Sequence, residues 1–180
     1  VNLPNHGFPR FSKSSFDAAY PFATVHFEEE ELPVSVRLKT FNPYIPGDAD
    51  ASGIPIAIIR YSVTNKTDKP LQVAVAGSLD NFIGMDGSKT EISDFSGYAY
   101  PIGVKNNRNT FRKTEQLQGI FMSSDSVPTG DIAWGTIALT TTDFKHGEQL
   151  SYRTELNPKG WNSNINDLWT DFAADGVFEN

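Results

Sequence analysis

The chain contains no cysteine. That absence removes disulfides, thiolate zinc sites and cysteine nucleophiles together. It also leaves the redox compartment unmarked, because a secreted bacterial protein lacks cysteine as readily as a cytosolic one. No apolar run approaches the roughly 20 residues of a membrane-crossing helix, so no membrane span is expected. Positive charge is scarce: 15 Lys and Arg stand against 22 Asp and Glu, for a formal charge of −7. Nucleic acids and anionic bilayers are recognised through Lys/Arg patches, and this balance argues against both as partners. No methionine, basic segment or signal-peptide core opens the chain at Val1. Its first residues, N-L-P-N-H-G-F-P-R-F, read as loop already inside a domain, which favours an excised piece over removal of a leader. Internal repeats and low-complexity tracts are missing as well.

What is there places the chain among ordinary globular proteins. At 180 residues it is long enough for one domain, or a tight pair of sheets, with a real core. Thirteen Phe raise the aromatic share to 12%, which suits packed sheets or sugar-facing surfaces.

The periodicity is β nearly throughout. Phe22–Glu28 is rich in β-formers. Pro33–Phe41 alternates cleanly, with Val34, Val36 and Leu38 on one face and Ser35, Arg37 and Lys39 on the other. A period of two with a charged outer face predicts a half-buried antiparallel strand. Ile54–Val63 is nearly all apolar and reads as a central strand covered on both sides. Asn65–Pro70 is turn chemistry, and Leu71–Leu79 alternates again, so an antiparallel hairpin is expected there. From Gly84 to Lys113 the pattern dissolves into a loop-like insertion of about 30 residues, a length that is often functional. Strand signals resume at Gly119–Met122, Ile132–Thr141 and Leu150–Leu156. The tail changes period: Ile165, Leu168, Trp169 and Phe172 fall on one helical face. Asn164 is placed to cap its start and Gly176 its end. The expectation is an all-β protein, an antiparallel β-sandwich with a short C-terminal helix, spanning 1–180 as a single domain.

Several residue groups invite a chemical reading. Glu28–Glu31 is an acidic run, read as a solvated loop at a strand end. Asp80 beside Asn81 follows an apolar strand; an Asx-turn is favoured over a group aimed into a cleft. Asp48-Ala-Asp50-Ala-Ser52-Gly53 matches the first half of a calcium-binding EF-hand loop. The twelfth position, where a bidentate Glu should close the shell, is Ile59. A turn-rich connection is therefore expected, and no metal or cofactor. His6, His26 and His146 are scattered, with no serine elbow such as G-x-S-x-G, and read as ordinary surface or strand residues. Asn65-Lys66-Thr67 is a glycosylation sequon in form and a turn in its plain reading. Trp161, in P-K-G-W-N-S-N, reads as the most exposed tryptophan; Trp134 in a strand and Trp169 on the helix stripe read as core.

One family resemblance runs through these segments. Y-P-F-A-T-V-H-F at Tyr20–Phe27 is followed by L-P-V-S-V-R-L-K-T-F-N-P-Y-I-P at Leu32–Pro46 and S-G-I-P-I-A at Ser52–Ala57. N-K-T, S-L-D-N-F-I-G, A-W-G-T-I-A-L at Ala133–Leu139 and L-W-T-D-F-A-A-D-G at Leu168–Gly176 come after it in order. In this order the islands resemble the N-terminal domain of glycoside hydrolase family 116, the non-lysosomal glucosylceramidase-like β-glucosidases. The resemblance implies a β-sandwich attached to a C-terminal (α/α)6 catalytic barrel that carries a Glu nucleophile and an Asp acid/base, retaining chemistry on β-glucosides and sometimes β-xylosides. It also implies a periplasmic or secreted setting, further strands after Asn180, and a Gly-rich segment before Val1. No catalytic residue carries over onto this chain. A retaining glycosidase needs two carboxyls about 5–5.5 Å apart, and no spacing among the acidic residues singles out such a pair.

Under that resemblance the Tyr44–Gly53 loop, stiffened by two nearby prolines, gains a role: Tyr44, Asp48 and Asp50 become candidates for an interface with the barrel at the substrate entrance. Trp161 is the fourth candidate. The function implied is an accessory domain that packs on the catalytic barrel and is not catalytic alone. The alternative is a stand-alone carbohydrate-binding sandwich, with an aromatic platform at Trp161 or at Tyr98 and Tyr100.

Overall fold

The computed structural model describes residues 8–85, 90–92, 99–101, 106–142, 147–156 and 163–179. Along the chain the strands are β1 (Lys13–Ala19), β2 (Phe22–Glu28), β3 (Val34–Phe41), β4 (Ile58–Asn65), β5 (Thr90–Ile92), β6 (Ala99–Pro101), β7 (Asn107–Lys113), β8 (Leu117–Ser124) and β9 (Ile137–Thr142). Helix α1 (Ala49–Ser52) interrupts them, and α2 (Ser163–Asp175) follows. Every ladder among the described residues is antiparallel. The protein is all-β, with a four-stranded and a three-stranded sheet and a terminal helix, the parts expected of an antiparallel sandwich with a C-terminal helix. It divides into two compact units, Val1–Gln72 and Val73–Asn180.

The first unit holds the sheet β1-β2-β3-β4. Its register aligns Phe16, Val25, Leu38 and Tyr61 in one row, and Ser14, Phe27, Val36 and Val63 in the next. The intervening rows are Ser15, His26, Arg37, Ser62 and Asp17, Thr24, Lys39, Arg60. One face is therefore apolar and the other polar, as period-two alternation requires. β2 and β3 lie where the sequence placed them. β1 has no counterpart in the sequence reading, since K-S-S-F-D-A-A has a single large apolar side chain to signal it.

The expected central strand Ile54–Val63 is corrected in two ways. Residues 54–57 form no strand, and Ile56 N–H folds back to the Ile54 carbonyl at 2.8 Å. The strand proper, β4, is at the edge of its sheet, with Ile59 58% and Tyr61 46% exposed. Ile59, Tyr61 and Val63 alternate with Arg60, Ser62 and Thr64, a one-faced pattern that the flanking isoleucines disguised. The turn after it is as read: Asn65 Oδ1 accepts from the N–H and the hydroxyl of Thr67, both at 2.8 Å, and its amide donates to the Lys69 carbonyl at 2.6 Å. The hairpin does not follow, because among the described residues Leu71–Leu79 joins no ladder.

The second unit holds the sheet β7-β8-β9 and the pair β5-β6. The pattern-free stretch from Gly84 to Lys113 thus carries three strands. β7 (N-R-N-T-F-R-K) escaped notice because its inward side chains are Asn107, Asn109 and Phe111. Asn107 donates to the Asn81 and Ile83 carbonyls at 3.1 Å each. Asn81 donates to Asn109 Oδ1 at 2.9 Å and to the Ser123 carbonyl at 3.1 Å, and Asn109 donates to the Thr154 carbonyl at 2.7 Å. An inward face built from amides is invisible to a hydrophobic period.

The core is Ile83, Met122 and Val127, walled by Ile120, Ile137 and Leu139. β9 begins at Ile137 and not at Ile132, because Asp131 turns the chain first. Among the described residues Leu150–Leu156 forms no ladder; it is held by the Phe111–Tyr152 ring stack, with centroids 3.9 Å apart, and by Arg153. Arg153 bonds Asp171 Oδ2 at 2.9 Å and the Glu179 carbonyl at 2.7 Å, tying this segment to α2 and its exit. Within α2, Ile165, Leu168 and Phe172 are half-buried, whereas Trp169, expected in the core, is 41% exposed. Asn164 lies inside the first turn and is not the cap. Gly176 ends the helix as expected, with φ +80° and its N–H on the Phe172 carbonyl at 2.8 Å.

Candidate interface at the end of the first sheet

The register places Ala19, Phe22, Phe41 and Ile58 in the last row of the first sheet, so the β1–β2 turn and the β3–β4 loop leave from the same end. The turn is Tyr20 and a cis Pro21. The loop is built residue by residue. The Asp48 N–H bonds the Ile45 carbonyl at 3.0 Å, closing a four-residue turn with Pro46 second and Gly47, at φ +84°, third. Proline fixes the backbone at the second position of such a turn, and only glycine takes the third without strain. Asp48 then caps α1 by accepting from Ala51 N–H at 2.8 Å. The Ser52 hydroxyl accepts from Ile45 N–H at 3.0 Å and donates to the Ile45 carbonyl at 3.1 Å, which closes the loop on its own start.

This self-bonded loop displays Tyr44, 45% exposed, against which the Tyr20 ring stands edge-on with centroids 5.2 Å apart. Ile45, Ile54 and Ile56 are exposed beside it in sequence. The sheet end therefore offers a stiff rim of aromatic and aliphatic side chains. Of the candidates named from sequence, Tyr44, Asp48 and Asp50 fall in this one loop. Asp48 spends one carboxylate oxygen on the helix cap; Asp50 is exposed in the first turn of α1. Trp161 lies outside the described residues, as do His6, His146 and Tyr98, and of Tyr100 only the backbone in β6 is described.

Other groups took different places. Glu29, in the acidic run, accepts from Ser12 N–H at 3.1 Å. The Ser12 hydroxyl first, and then the backbone N–H groups of Glu31 and Ser12, hold its carboxyl below the usual glutamate range. His26 lies on the polar face with Nε2 3.3 Å from Asp17 Oδ2. It lines a shallow cleft of about 370 Å³ together with Glu28, Arg37 and Ser62. Asn81, not Asp80, makes the Asx-turn, accepting from Ile83 N–H at 3.3 Å.

The sequence reading missed Trp134. It was expected in a strand core and is 48% exposed in a turn, where Asp131 Oδ1 accepts from Ala133 N–H at 2.8 Å. Trp134 lines a mostly apolar cleft of about 330 Å³ with Phe82, Met85 and Ile132. The signal available was Asp131 itself, an Asx-turn former directly before I-A-W-G. Among the described residues, no group of three or more His, Asp or Glu is placed to hold a metal ion.

The family described as beta-glucosidase 2, glycosyl-hydrolase family 116 N-term, matches residues 2–180. The chain belongs to this family. The family 116 match covers the whole run of sequence islands, both units, the rim loop and the Trp134 turn. No curated protein matches the chain. As a family 116 N-terminal domain, it is an accessory part of the glucosylceramidase-like β-glucosidases, and catalysis belongs to a domain downstream.

Proposed function

We propose that this domain packs on an (α/α)6 catalytic barrel and shapes the entrance through which a β-glucoside reaches it. The two units act as one N-terminal module, in a polypeptide that works in the periplasm or outside the cell. The observation that carries the reading is the rim loop. It is fixed by its own hydrogen bonds and raises Tyr44 and neighbouring isoleucines into solvent. A surface that is ordered in advance loses little entropy when covered, and aromatic anchors dominate such contacts. Asp50 leaves a free carboxylate at the same rim for a sugar hydroxyl or a basic group of the barrel. Trp161 adds an apolar face for a pyranose on this reading.

The test is Tyr44→Ala in the intact enzyme, assayed on an aryl β-glucoside. Loss of an anchor worth about 1.4 kcal/mol lowers kcat/KM about tenfold, mostly through KM. An unchanged kcat/KM together with an unchanged melting temperature would remove this loop from the entrance.

A further inference from the structure

We infer that the outer edge of β4 pairs with the same edge of a second copy of this chain, joining two four-stranded sheets about a two-fold axis at Ser62.

One hydrogen bond fixes which backbone groups face outward. Lys66 N–H bonds the Pro33 carbonyl at 2.8 Å, and the ladder continues from there with Asn65 opposite Val34. In an antiparallel pair, the residues that exchange hydrogen bonds alternate along the ladder. Thr64, Ser62, Arg60 and Ile58 therefore turn their backbone groups toward β3, and Val63, Tyr61 and Ile59 turn theirs outward. β4 ends its sheet, and among the described residues no backbone bond meets those outward groups.

Such an edge templates another strand unless charge, proline or a bulge blunts it. β1, at the other edge, carries Lys13 and Asp17 and one large apolar residue, Phe16. β4 carries Arg60 as its one charge and neither proline nor glycine, and its Ile59 and Tyr61 are largely exposed.

The edge is complementary to itself. Outward groups must meet outward groups, so a two-fold axis passes through a residue and not between two. On Arg60 it sets two guanidiniums face to face, and on Tyr61 it leaves them diagonal neighbours; both are unfavourable. On Val63 it shortens the overlap to residues 61–65. On Ser62 it opposes Tyr61 to Val63 twice, Arg60 to Thr64 twice, and Ser62 to its own copy. Aromatic against β-branched is a favourable cross-strand pair, and here it extends the apolar rows of Leu38–Tyr61 and Val36–Val63. The contact is isologous, as two-fold dimers require, and main-chain bonds supply its affinity.

The test starts with sedimentation of the 180-residue chain. Its mass should double with a dissociation constant on the order of 10–100 µM, as suits a strand-edge contact of small area. The chain has no cysteine, so single replacements report the register. Across the axis the two residue-62 Cα atoms would lie about 4.5 Å apart, within disulfide range, and Ser62→Cys should be captured as a linked dimer on mild oxidation. The two residue-60 positions are offset by four residues, about 13 Å, so Arg60→Cys should give at least about tenfold less linked dimer. A chain that stays monomeric up to about 1 mM would overturn the inference. Equal capture of the two variants would overturn it as well. Neither outcome bears on the entrance reading, which the Tyr44→Ala assay tests separately.

Discussion

Glu29 and Ser12 show how a surface residue acquires a specific state. The Ser12 hydroxyl and nearby N–H groups favour the charged carboxylate, so its folded pKa lies below that of an unfolded glutamate. The stabilisation this brings is present above the unfolded value and disappears as pH falls through the folded one. Ser12→Ala removes the largest cause. The Glu29 carboxyl is then expected to titrate at a higher pH by side-chain carbonyl NMR, and an unmoved titration would mean that the backbone donors alone set it. Individual residues were legible in the sequence where their chemistry is local. Asn65 and Gly176 each act on backbone within four residues, as read from the sequence, whereas the helix that Asp48 caps was not foreseen. Trp134 and Trp169 were misplaced because burial of a tryptophan depends on distant segments that its neighbours in sequence do not announce.

Elements were legible in proportion to how apolar their inward face is. β3, with Val34, Val36 and Leu38 inward, could be drawn from sequence almost to the residue. β7, with two asparagines inward, could not, and its place depends on amide bonds to Asn81 and Thr154. β8 depends on a different local feature. Gly119 pairs with Thr140 across the β8–β9 ladder, and a Cβ there would run into the Leu139 carbonyl oxygen and lie 2.7 Å from Thr140 Cα. Both obstacles are backbone, so neither yields by rotating a side chain. Gly119→Ala should cost about 3 kcal/mol or more in urea unfolding, because relief requires the two strands to part. A variant as stable as the parent would show that the strands do not approach this closely.

On the scale of the molecule, burial is uneven. Ile83, Met122, Val127 and Gln118, the buried residues among those described, all belong to the unit Val73–Asn180. In the unit Val1–Gln72 the apolar face of the sheet is at best half-buried, with Phe16 65% and Ile59 58% exposed at its two outer strands. Sequence alternation identified that face as apolar but carried no information on what covers it, which is why β4 was misread as enclosed. The unevenness has a mechanical consequence. Met122 is 2% exposed and touches the Ile120, Ile137 and Leu139 wall, so Met122→Ala opens a cavity in the second unit and should cost about 2–5 kcal/mol. Each 1.4 kcal/mol is tenfold, so β7–β9 amides that exchange by unfolding should do so at least about 25-fold faster. The β1–β4 amides, whose sheet contains none of these core residues, should keep their rates. If both sheets accelerated together, the two units would unfold as one body, and the stability of the rim loop would depend on Met122 as much as on its own hydrogen bonds. If they separate, the rim loop keeps its shape when the core of the second unit is weakened, held by its own hydrogen bonds.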